Sequence, residues 1–326
     1  MIRLYFSLFL LMLLPNALAA DLPGIPEFIN EMVAKHHFKR EELVQVFEDA
    51  NYRKDVIDAM NKPSTLKPWL EYRAAFINPK RISGCMKFWL KYADDLDRAE
   101  KKYGVPQEII IAIIGVETLY GQHAGNYRTL DALTTLTFDY PRRVVFFRGE
   151  LEQYLLLARE QNFDILNIRA SYAGALGIPQ FMPSSYRRHA VDFNKDGKID
   201  LMNSAVDAIG SVANYLREYG WKPGERVAIR ATVENVYRPN DVDAARSLGA
   251  WGELGVFPQE RVTDGLYAYL LDFTLPDGKE YWFGFNNFAV ITTYNNSSYY
   301  AMSVYQLALE LKKAGSAYGF IRRAPL

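Results

Sequence analysis

Residues 109–117 read IIIAIIGVE, an apolar run that ends in Glu117 and around which the rest of the chain has to fold. Burying a carboxylate beside such a run is unfavourable unless the group is paired or protonated. Because desolvation disfavours the charged form, burial raises the pKa of a carboxyl group and lets it hold a proton near neutral pH. The run predicts a buried helix, and Glu117 is a candidate general acid.

The residues after Glu117 read TLYG, residues 118–121, and are typical of a helix end that opens into a loop. The acid is therefore expected where a buried helix meets an accessible cleft. A second interpretation stays open at this point, because single carboxylates on apolar helices are often structural and paired with an arginine or a backbone amide. The rest of the sequence distinguishes the two.

Composition narrows the class of protein. The chain has 326 residues, 14% of them aromatic, with 38 basic and 38 acidic side chains and a formal net charge of zero. This length is enough for two domains or one elaborated domain with a large core. Zero net charge argues against a strongly basic nucleic-acid-binding domain, so nucleic acid is not an expected partner. The abundant aromatic residues suit a core and also surfaces that stack on sugar rings.

Residues 1–19 match a secretory signal peptide. Arg3 supplies the positive start, residues 4–14 are almost entirely apolar, and Ala17-Leu18-Ala19 is a small-residue cleavage site. The run is short for a membrane span, so cleavage after Ala19 is favoured over an uncleaved anchor. The single cysteine, Cys85, excludes an internal disulfide and lies too far along the chain for lipoprotein acylation. These features predict an exported protein of a bacterial periplasm.

Helical patterns dominate and predict a mainly α (α+β) protein. The predicted regions are an N-terminal helical region (20–103), a helical body (104–221 and 291–316) and a small β-containing insertion (222–290). Ser83 is predicted to cap a helix that runs to about Lys101, and another helix is expected over residues 142–161. The last helix is predicted to end at Gly315, and Pro276-Asp277-Gly278 to form a turn between strands.

Residues 192–200 read DFNKDGKID and follow the pattern of an EF-hand calcium loop. The candidate ligands are the side chains of Asp192, Asn194, Asp196 and Asp200 and the backbone carbonyl of Lys198. Gly197 supplies the sharp turn. Asn203 stands where EF-hand loops carry a bidentate glutamate, so Asp207 is a candidate to close a longer loop over 192–207, and ligation by Asp200 or Asn203 stays open. The oxygen spacing favours a structural calcium ion over the alternative, a polar turn without metal.

A second polar segment reads SYAGALGIPQFMPS, residues 171–184, and is dense in small residues. Glycines let the backbone approach a ligand closely. Ser171, Tyr172 and Gln180 offer donors and acceptors that suit hydroxyl and acetamido groups. Taken alone, the segment is also compatible with tight helix packing.

Together with ETLYG (117–121), this segment resembles the lytic transglycosylases, enzymes with a lysozyme-like core. The motifs YPRR (140–143), VDAIGSVANY (206–215), YN (294–295) and YAM (300–302), with the calcium-type loop, are similar in order and spacing to those of the membrane-bound lytic transglycosylase B family. The resemblance covers nearly the whole mature chain. The family's best-known members are lipoproteins, and this chain, which lacks the acylation box, resembles the soluble exported branch.

The resemblance implies cleavage of the bond between N-acetylmuramic acid and N-acetylglucosamine in peptidoglycan. One glutamate acts as acid and then as base, while the carbon-six hydroxyl of the muramic acid attacks the anomeric carbon and gives a 1,6-anhydro product. Ordinary glycosidases need two carboxylates that flank the bond. Asp131 and Asp139 are the candidates for a second acid, but each also fits a helix or turn cap, and the implied chemistry needs only Glu117.

By motif, the resemblance also implies a set of substrate contacts. These are Tyr72, Arg142, Arg143, Ser171, Gln180, Tyr215, Tyr294 and Tyr300. The serine and the glutamine would contact the acetylated sugars, the arginines the lactyl or peptide side, and the tyrosines the cleft wall. Plainer alternatives are a solvated helix start for the arginines and core packing for the tyrosines.

Two other functions stay open from the sequence: a non-catalytic, calcium-stabilised peptidoglycan-binding protein, and a muramidase that uses water on the same fold. A buried acid favours an enzyme, because binding alone does not require one. The expected partners are peptidoglycan glycan strands and cell-wall synthesis proteins, the expected state is a monomer, and no organic cofactor is expected. Cleavage within strands or from their ends, and dependence on stem peptides, are not decided by the sequence.

Overall fold

The computed structural model describes residues 22–62, 67–234 and 244–317. The predicted signal peptide, residues 1–19, lies outside the described residues. Within them, no helix combines the length and the apolarity that crossing a bilayer requires. Helices dominate, and the prediction of a mainly α fold with a small β-containing insertion is confirmed.

The described chain begins with a series of short helices. They are α1 (Ile25–His36), α2 (Arg40–Glu48), α3 (Lys54–Met60), α4 (Trp69–Phe76), α5 (Pro79–Lys91) and α6 (Ala93–Tyr103). Phe28 of α1 and Phe47 of α2 meet edge to face, with their ring centroids 5.9 Å apart. This contact closes α1 and α2 over one apolar cluster.

The prediction of a single helix capped by Ser83 and running to about Lys101 is wrong, because the chain forms the two helices α5 and α6 over this stretch. Helix α5 begins at Pro79, and its N-cap is Asn78, whose Oδ1 accepts the Arg81 N–H at 3.0 Å. Proline suits the first helical position, where its missing N–H would have no partner. Helix α5 ends at Lys91, and Tyr92, with a φ of −120° and a ψ of 28°, separates it from α6.

Helix α7 (Gln107–Thr118) contains the apolar run and is the central helix of the protein. All residues from 109 to 116 are buried, and residues 110–114 have no exposed surface. A helix that is apolar on all sides has to be enclosed by neighbours. Here α5 and α6 pack against it, together with helices from later in the chain. The prediction of a buried helix is confirmed.

The middle of the chain adds a short strand pair and further helices. The elements are β1 (Tyr127–Arg128), α8 (Thr129–Asp139), α9 (Val144–Gln161), β2 (Arg169–Ala170), α10 (Pro183–His189) and α11 (Ala205–Glu218). Strands β1 and β2 pair antiparallel, and α8 packs on α9 through residues such as Leu133 and Phe147. The helix predicted over 142–161 begins at Val144, because Pro141–Arg143 form a 3-10 turn before it.

A small sheet follows α11. Its strands and the helix between them are β3 (Ala228–Val233), β4 (Arg246–Ser247), α12 (Leu248–Glu253), β5 (Val256–Pro258), β6 (Tyr267–Leu275) and β7 (Gly278–Gly284). The strands form one antiparallel sheet in the order β4-β6-β7-β3-β5. Trp69 of α4 packs on Phe273 with 4.6 Å between ring centroids and donates from Nε1 to Glu280 Oε1 at 2.7 Å. These contacts fix the sheet to the helical body.

Helices α13 (Asn286–Tyr294) and α14 (Ser298–Ala317) complete the described chain. Helix α14 lies along α7 and buries residues such as Tyr300 and Met302. The predicted helix end at Gly315 is wrong, since the helix continues to Ala317. Gly315 is buried within the last turns of this helix and does not end it.

We expect Asn78→Ala to lower the free energy of unfolding by ~1 kcal/mol, the usual loss for an N-cap side chain. Asn78 Nδ2 also donates to the Ala74 and Ala75 carbonyls at 3.3 and 3.2 Å, so this substitution releases the end of α4 as well. Urea unfolding followed by circular dichroism measures the loss.

Ser83→Ala is the matched control, because Ser83 is exposed inside α5. We expect it to change the free energy of unfolding by less than ~0.5 kcal/mol. A larger loss for Ser83→Ala than for Asn78→Ala would contradict the helix start at Pro79.

Candidate active site

Glu117 is the next-to-last residue of α7, at the point where the buried helix reaches the surface. The residue is half-buried, and its Oε1 accepts a hydrogen bond from the Tyr300 hydroxyl at 2.6 Å. Burial raises the pKa of Glu117 from 4.5 to about 7, while the Tyr300 hydrogen bond and the positive charge of Arg81 act in the opposite direction. At neutral pH roughly half of the molecules then hold the proton, which suits a group that gives and takes one.

The chain leaves α7 through a left-handed turn. Leu119 and Tyr120 have φ values of 51° and 63°, which non-glycine residues adopt rarely. The Thr118 hydroxyl donates to the Ile178 carbonyl at 2.8 Å. This bond ties the end of α7 to the glycine-rich segment, and the turn directs the chain out of the core directly after Glu117.

Three of the predicted tyrosines lie within electrostatic reach of Glu117. They are Tyr72 of α4, Tyr294 of α13 and Tyr300 of α14. Burial and the Glu117 charge raise the pKa of each hydroxyl, that of Tyr72 to about 12, so all three stay neutral at neutral pH. The Tyr294 and Tyr300 rings are stacked with their centroids 6.3 Å apart. Tyr215 lies behind Tyr294, at 4.9 Å between ring centroids, and its hydroxyl donates to a backbone carbonyl of α13 at 2.7 Å.

Ser171 and Gln180 lie in one compact loop and both keep partial exposure. Ser171 Oγ accepts the Ala175 N–H at 3.1 Å. Gln180 has a φ of 53°, and its Nε2 donates to the carbonyls of Ala124 and Gly177 at 3.0 and 2.9 Å. These bonds orient both side chains. Within the described parts of the chain, Gln180 Oε1 accepts no hydrogen bond and is available to a ligand N–H group.

The same loop is joined to the calcium-type loop through the backbone. Gly177 has a φ of 69°, and a Cβ atom there would lie 2.3 Å from the Leu201 carbonyl oxygen, so only glycine fits. The next residue, Ile178, donates its N–H to that carbonyl at 2.8 Å. Because Leu201 directly follows residues 192–200, the position of the glycine-rich loop depends on the calcium-type loop.

Arg142 and Arg143 are exposed on the 3-10 turn before α9. The Arg143 guanidinium lies over the Phe146 ring, 4.0 Å from its centroid. Helix α9 packs mainly on α8 and α10. The structure therefore places both arginines on an exposed surface and does not bring them into contact with Glu117.

The candidates for a second acid are engaged elsewhere. Asp131 is buried, and its Oδ1 accepts the Asn51 N–H at 3.0 Å. Asp139 accepts the Tyr52 hydroxyl at 2.6 Å. Both carboxylates hold the segment after α2 against α8, which is a structural role.

Arg81 belongs to the site but was not singled out by its sequence. It lies on α5, and its Nη1 donates to the carbonyls of Gly115 and Val116 in the last turn of α7. Its charge lowers the pKa of Glu117. No motif marks the residue, because only the packing of α5 on α7 brings Arg81 close to the acid.

The calcium-type loop is closed by its own backbone amides. Asp192 Oδ2 accepts the Gly197 N–H at 2.9 Å, and Asp196 Oδ1 accepts the Lys198 N–H at 2.9 Å. Asn194 Nδ2 donates to Asp196 Oδ2 at 2.9 Å. Gly197 has a φ of 88°, which is the sharp turn that the EF-hand pattern requires at this position.

Asp207 lies beneath this loop and has no exposed surface. Its Oδ1 accepts the N–H groups of Phe193 and Asn194 at 2.8 and 3.2 Å, and its Oδ2 accepts that of Asp200 at 3.0 Å. Asp207 thus clamps the backbone at both ends of the loop. Direct ligation of a metal by Asp207 would require the loss of some of these bonds.

The loop carries oxygen donors of the kind that calcium accepts, although its side chains turn toward backbone amides. In the described ranges, no three His, Cys, Asp or Glu side chains are arranged so that they could hold a metal. However, Asp192, Asp196 and Asp200 form no ion pair with any described lysine or arginine, so their charge is uncompensated. Asn194 and the Lys198 carbonyl add neutral oxygen donors of the kind that calcium accepts.

The amino-acid sequence of the chain is similar to those of known proteins. The transglycosylase SLT domain matches residues 22–309. The chain is 45% identical over 298 residues to membrane-bound lytic murein transglycosylase B of Escherichia coli (strain K12), a match that covers 88% of this chain and 82% of that protein.

Solved structures agree with the sequence match. Soluble lytic transglycosylase SltB1 from Pseudomonas aeruginosa is 48% identical, with a TM-score of 0.83 and coverage of 90% of this chain and 100% of that chain. The Escherichia coli lytic transglycosylase Slt35 in complex with calcium is 43% identical, with a TM-score of 0.85 and coverage of 92% and 96%.

These similarities extend over most of the chain and include its arrangement in space. They confirm the resemblance that the motifs carried, and with it the lysozyme-like helical fold. The chain belongs to the transglycosylase SLT domain family and is a peptidoglycan lytic transglycosylase, a lyase that acts on peptidoglycan.

Proposed function

We propose that the protein cleaves the bond between N-acetylmuramic acid and N-acetylglucosamine without water and leaves 1,6-anhydro ends, with Glu117 as acid and then as base. The observation that carries this proposal is the Glu117 carboxyl group, whose pKa burial raises to about 7. Among the described residues, no second carboxylate is a source of the shift in that pKa. Glycosidases that use water or a covalent intermediate need two carboxyl groups roughly 5–9.5 Å apart. A single one suffices if the substrate supplies the nucleophile.

The proton moves in two steps. Protonated Glu117 first donates its proton to the glycosidic oxygen as the bond between that oxygen and carbon one of the muramic acid breaks. The N-acetylglucosamine side leaves as a neutral alcohol. The Glu117 carboxylate then takes the proton of the carbon-six hydroxyl as oxygen six bonds to carbon one. The enzyme returns to its starting protonation state, and no water is consumed.

Tyr300 supports both steps. Its hydroxyl donates to Glu117 Oε1, so Oε2 would be the oxygen that holds the mobile proton. The pKa of Tyr300 is raised well above 10, mainly by burial, which keeps the hydroxyl a donor throughout. A donor fixed in place stabilises the carboxylate that exists between the two steps.

The other side chains then have roles that follow from their positions. Ser171 and Gln180 are oriented by backbone bonds and would contact the acetamido and hydroxyl groups of the sugars. Tyr72, Tyr294 and Tyr300, which lie within electrostatic reach of Glu117, would form the cleft wall beside the acid. Tyr215 would support Tyr294 through their ring contact. The exposed Arg142 and Arg143 would meet the anionic lactyl or peptide groups of the substrate.

We also propose export to the periplasm through residues 1–19, and a structural calcium ion in residues 192–200. The relative Slt35 has been solved in complex with calcium, which supports the second proposal. Asp192, Asn194, Asp196, Asp200 and the Lys198 carbonyl would hold the ion, with Asp207 as the backbone clamp. Bound calcium would neutralise the carboxylates of the loop and make its conformation more stable. It would thereby fix the position of the Leu201 carbonyl, which accepts the Ile178 N–H of the glycine-rich loop.

Digestion of purified sacculi, with the products weighed by mass spectrometry, tests the reaction. We expect muropeptides that are one water lighter than reducing-end products. Glu117→Gln keeps the shape of the side chain but has no proton to give, so we expect turnover to fall by at least ~100-fold. Glu108→Gln is the matched control, because Glu108 lies in the first turn of the same helix and pairs with Lys312 at 3.5 Å.

Each alternative has its own outcome. Reducing-end products would identify a muramidase that uses water. Wall binding without any products from the wild type would identify a binding protein. Full activity of Glu117→Gln would refute the assigned acid.

Calcium is tested by thermal unfolding with and without a chelator. At a calcium concentration a hundred times its dissociation constant, binding adds ~2.7 kcal/mol, so we expect chelation to lower Tm by roughly 5 °C. Asp196→Ala should remove most of this response, whereas Asp97→Ala, at an exposed ion pair with Lys101, should keep it. An unchanged Tm in the wild type would mean that the loop is a polar turn without metal.

A further inference from the structure

The last turn of α7 receives a guanidinium group from the neighbouring helix α5. Arg81 Nη1 donates to the Gly115 carbonyl and, at 3.5 Å, to the Val116 carbonyl. Its Nε donates to the Ala75 carbonyl at 3.2 Å, and its guanidinium lies 5.0 Å from the centroid of the Phe76 ring. One cation therefore joins the end of α4 to the end of the helix that carries the acid.

Tyr120 adds a second contact between α5 and the end of α7. Its hydroxyl donates to the Arg81 carbonyl at 2.9 Å. Its ring lies between Gly84 of α5 and Gly115 of α7, where added Cβ atoms would come within 2.8 and 2.7 Å of it. No side chain fits at such distances, so the two glycines make the space for the ring. Arg81 and Tyr120 together latch the last turn of α7 onto α5.

The charge of Arg81 also opposes an unfavourable field at Glu117. The free carbonyls at the C-terminal end of a helix carry partial negative charge, which disfavours a carboxylate there. The Arg81 cation binds those carbonyls and lowers the pKa of Glu117 relative to the value that burial alone would give. Arg81 has no carboxylate within ion-pair distance in the described chain, so no other acid neutralises its charge.

The remaining titratable groups around Glu117 are neutral near pH 7. They are Tyr72 of α4, Cys85 of α5, Tyr120 after α7, Tyr294 of α13 and Tyr300 of α14. Burial is the largest cause that raises the pKa of each of them. Glu108 and its partner Lys312 lie at the opposite end of α7. Among the described residues, the balancing positive charge at the acid comes from Arg81.

We infer that Arg81 is a positioning residue for the transglycosylase reaction, which fixes the last turn of α7 and adjusts the acidity of Glu117 through its charge. The inference rests on the proposed role of Glu117 as acid and base. Arg81 acts through the backbone carbonyls and the electrostatic field rather than by contact with the reacting atoms. Without it, Glu117 would hold its proton more tightly and release it to the glycosidic oxygen less readily.

The test is the pH dependence of kcat/KM on sacculi for the wild type, Arg81→Met and Arg81→Lys. Activity that needs protonated Glu117 falls as the pH rises through the pKa of that group, which is about 7 in the wild type. Removal of a nearby cation raises a carboxyl pKa, so we expect the alkaline limb of Arg81→Met to move up by about one pH unit. Arg81→Lys restores the positive charge, so we expect the alkaline limb to return toward the wild-type position. We expect kcat to stay low, because an ammonium group lacks the planar, forked set of N–H donors with which the guanidinium binds the helix carbonyls.

Two further variants separate charge from structure. Lys87→Met removes an exposed cation from α5 and should leave the profile and kcat unchanged. Tyr120→Phe removes the latch hydroxyl but keeps the cation, so we expect a lower kcat with the alkaline limb in its wild-type position. Arg81→Gln removes the charge but retains an N–H donor, and replaces Arg81→Met if that variant fails to fold.

A fall in the activity of the charge-free Arg81 variants with an unshifted alkaline limb would overturn the inference and leave Arg81 a purely structural residue. That result would leave the proposed function of the protein unaffected. The proposed function fails separately, if Glu117→Gln retains turnover with the wild-type pH profile.

Discussion

Burial of residues 109–116 of helix α7 determines how the surrounding helices are arranged. A helix segment without a polar side has to be covered on every side, and α5, α6, α11 and α14 provide that cover. At its C-terminal end the helix becomes partly exposed at Glu117, and the chain then turns into the left-handed region at Leu119 and Tyr120. Glu117 lies at this boundary. Its burial, and therefore the raised pKa that suits general acid catalysis, follows from the enclosure of the helix.

A short series of hydrogen bonds connects the acid to segments that are distant in sequence. The Leu201 carbonyl accepts the Ile178 N–H, and the Ile178 carbonyl accepts the hydroxyl of Thr118, the residue after Glu117. The calcium-type loop, the glycine-rich loop and the end of α7 thus form one hydrogen-bonded unit. Because interiors are closely packed, loosening one part is expected to change the position of the others. The stability of the 192–207 loop therefore affects how precisely the Glu117 carboxyl group is positioned.

The sequence predicts the parts of this protein that have a strong local pattern. The apolar run predicted α7, and alternating residues with a Pro-Asp-Gly turn predicted the β-containing insertion. The start of α5 was missed because Ser83 also fits a cap by residue type, whereas the fold uses the Asn78 side chain as the cap and Pro79 as the first helical residue. The continuation of α14 past Gly315 was missed because burial of a glycine is a tertiary property.

The site was predictable only in part for the same reason. The resemblance named Tyr300 but not its hydrogen bond to Glu117, and nothing in the sequence pointed to Arg81, whose contacts arise from helix packing. Asp207 was proposed as a calcium ligand from its position in the sequence, whereas in the fold its carboxylate oxygens accept hydrogen bonds from backbone N–H groups. Spacing along the chain identifies which oxygens are near a loop, and only the fold decides which groups they bind.

A proton held by the Glu117 carboxyl group near neutral pH is the property on which the proposed catalysis depends. A carbon-13 NMR titration of protein labelled at glutamate side-chain carboxyls, with Glu117→Gln to assign the signal, measures this pKa directly. We expect a midpoint at about 7, because burial raises the pKa of this carboxyl group. A midpoint near 4.5, the ordinary value for glutamate, would show that Glu117 is ionised at neutral pH and would refute its role as general acid.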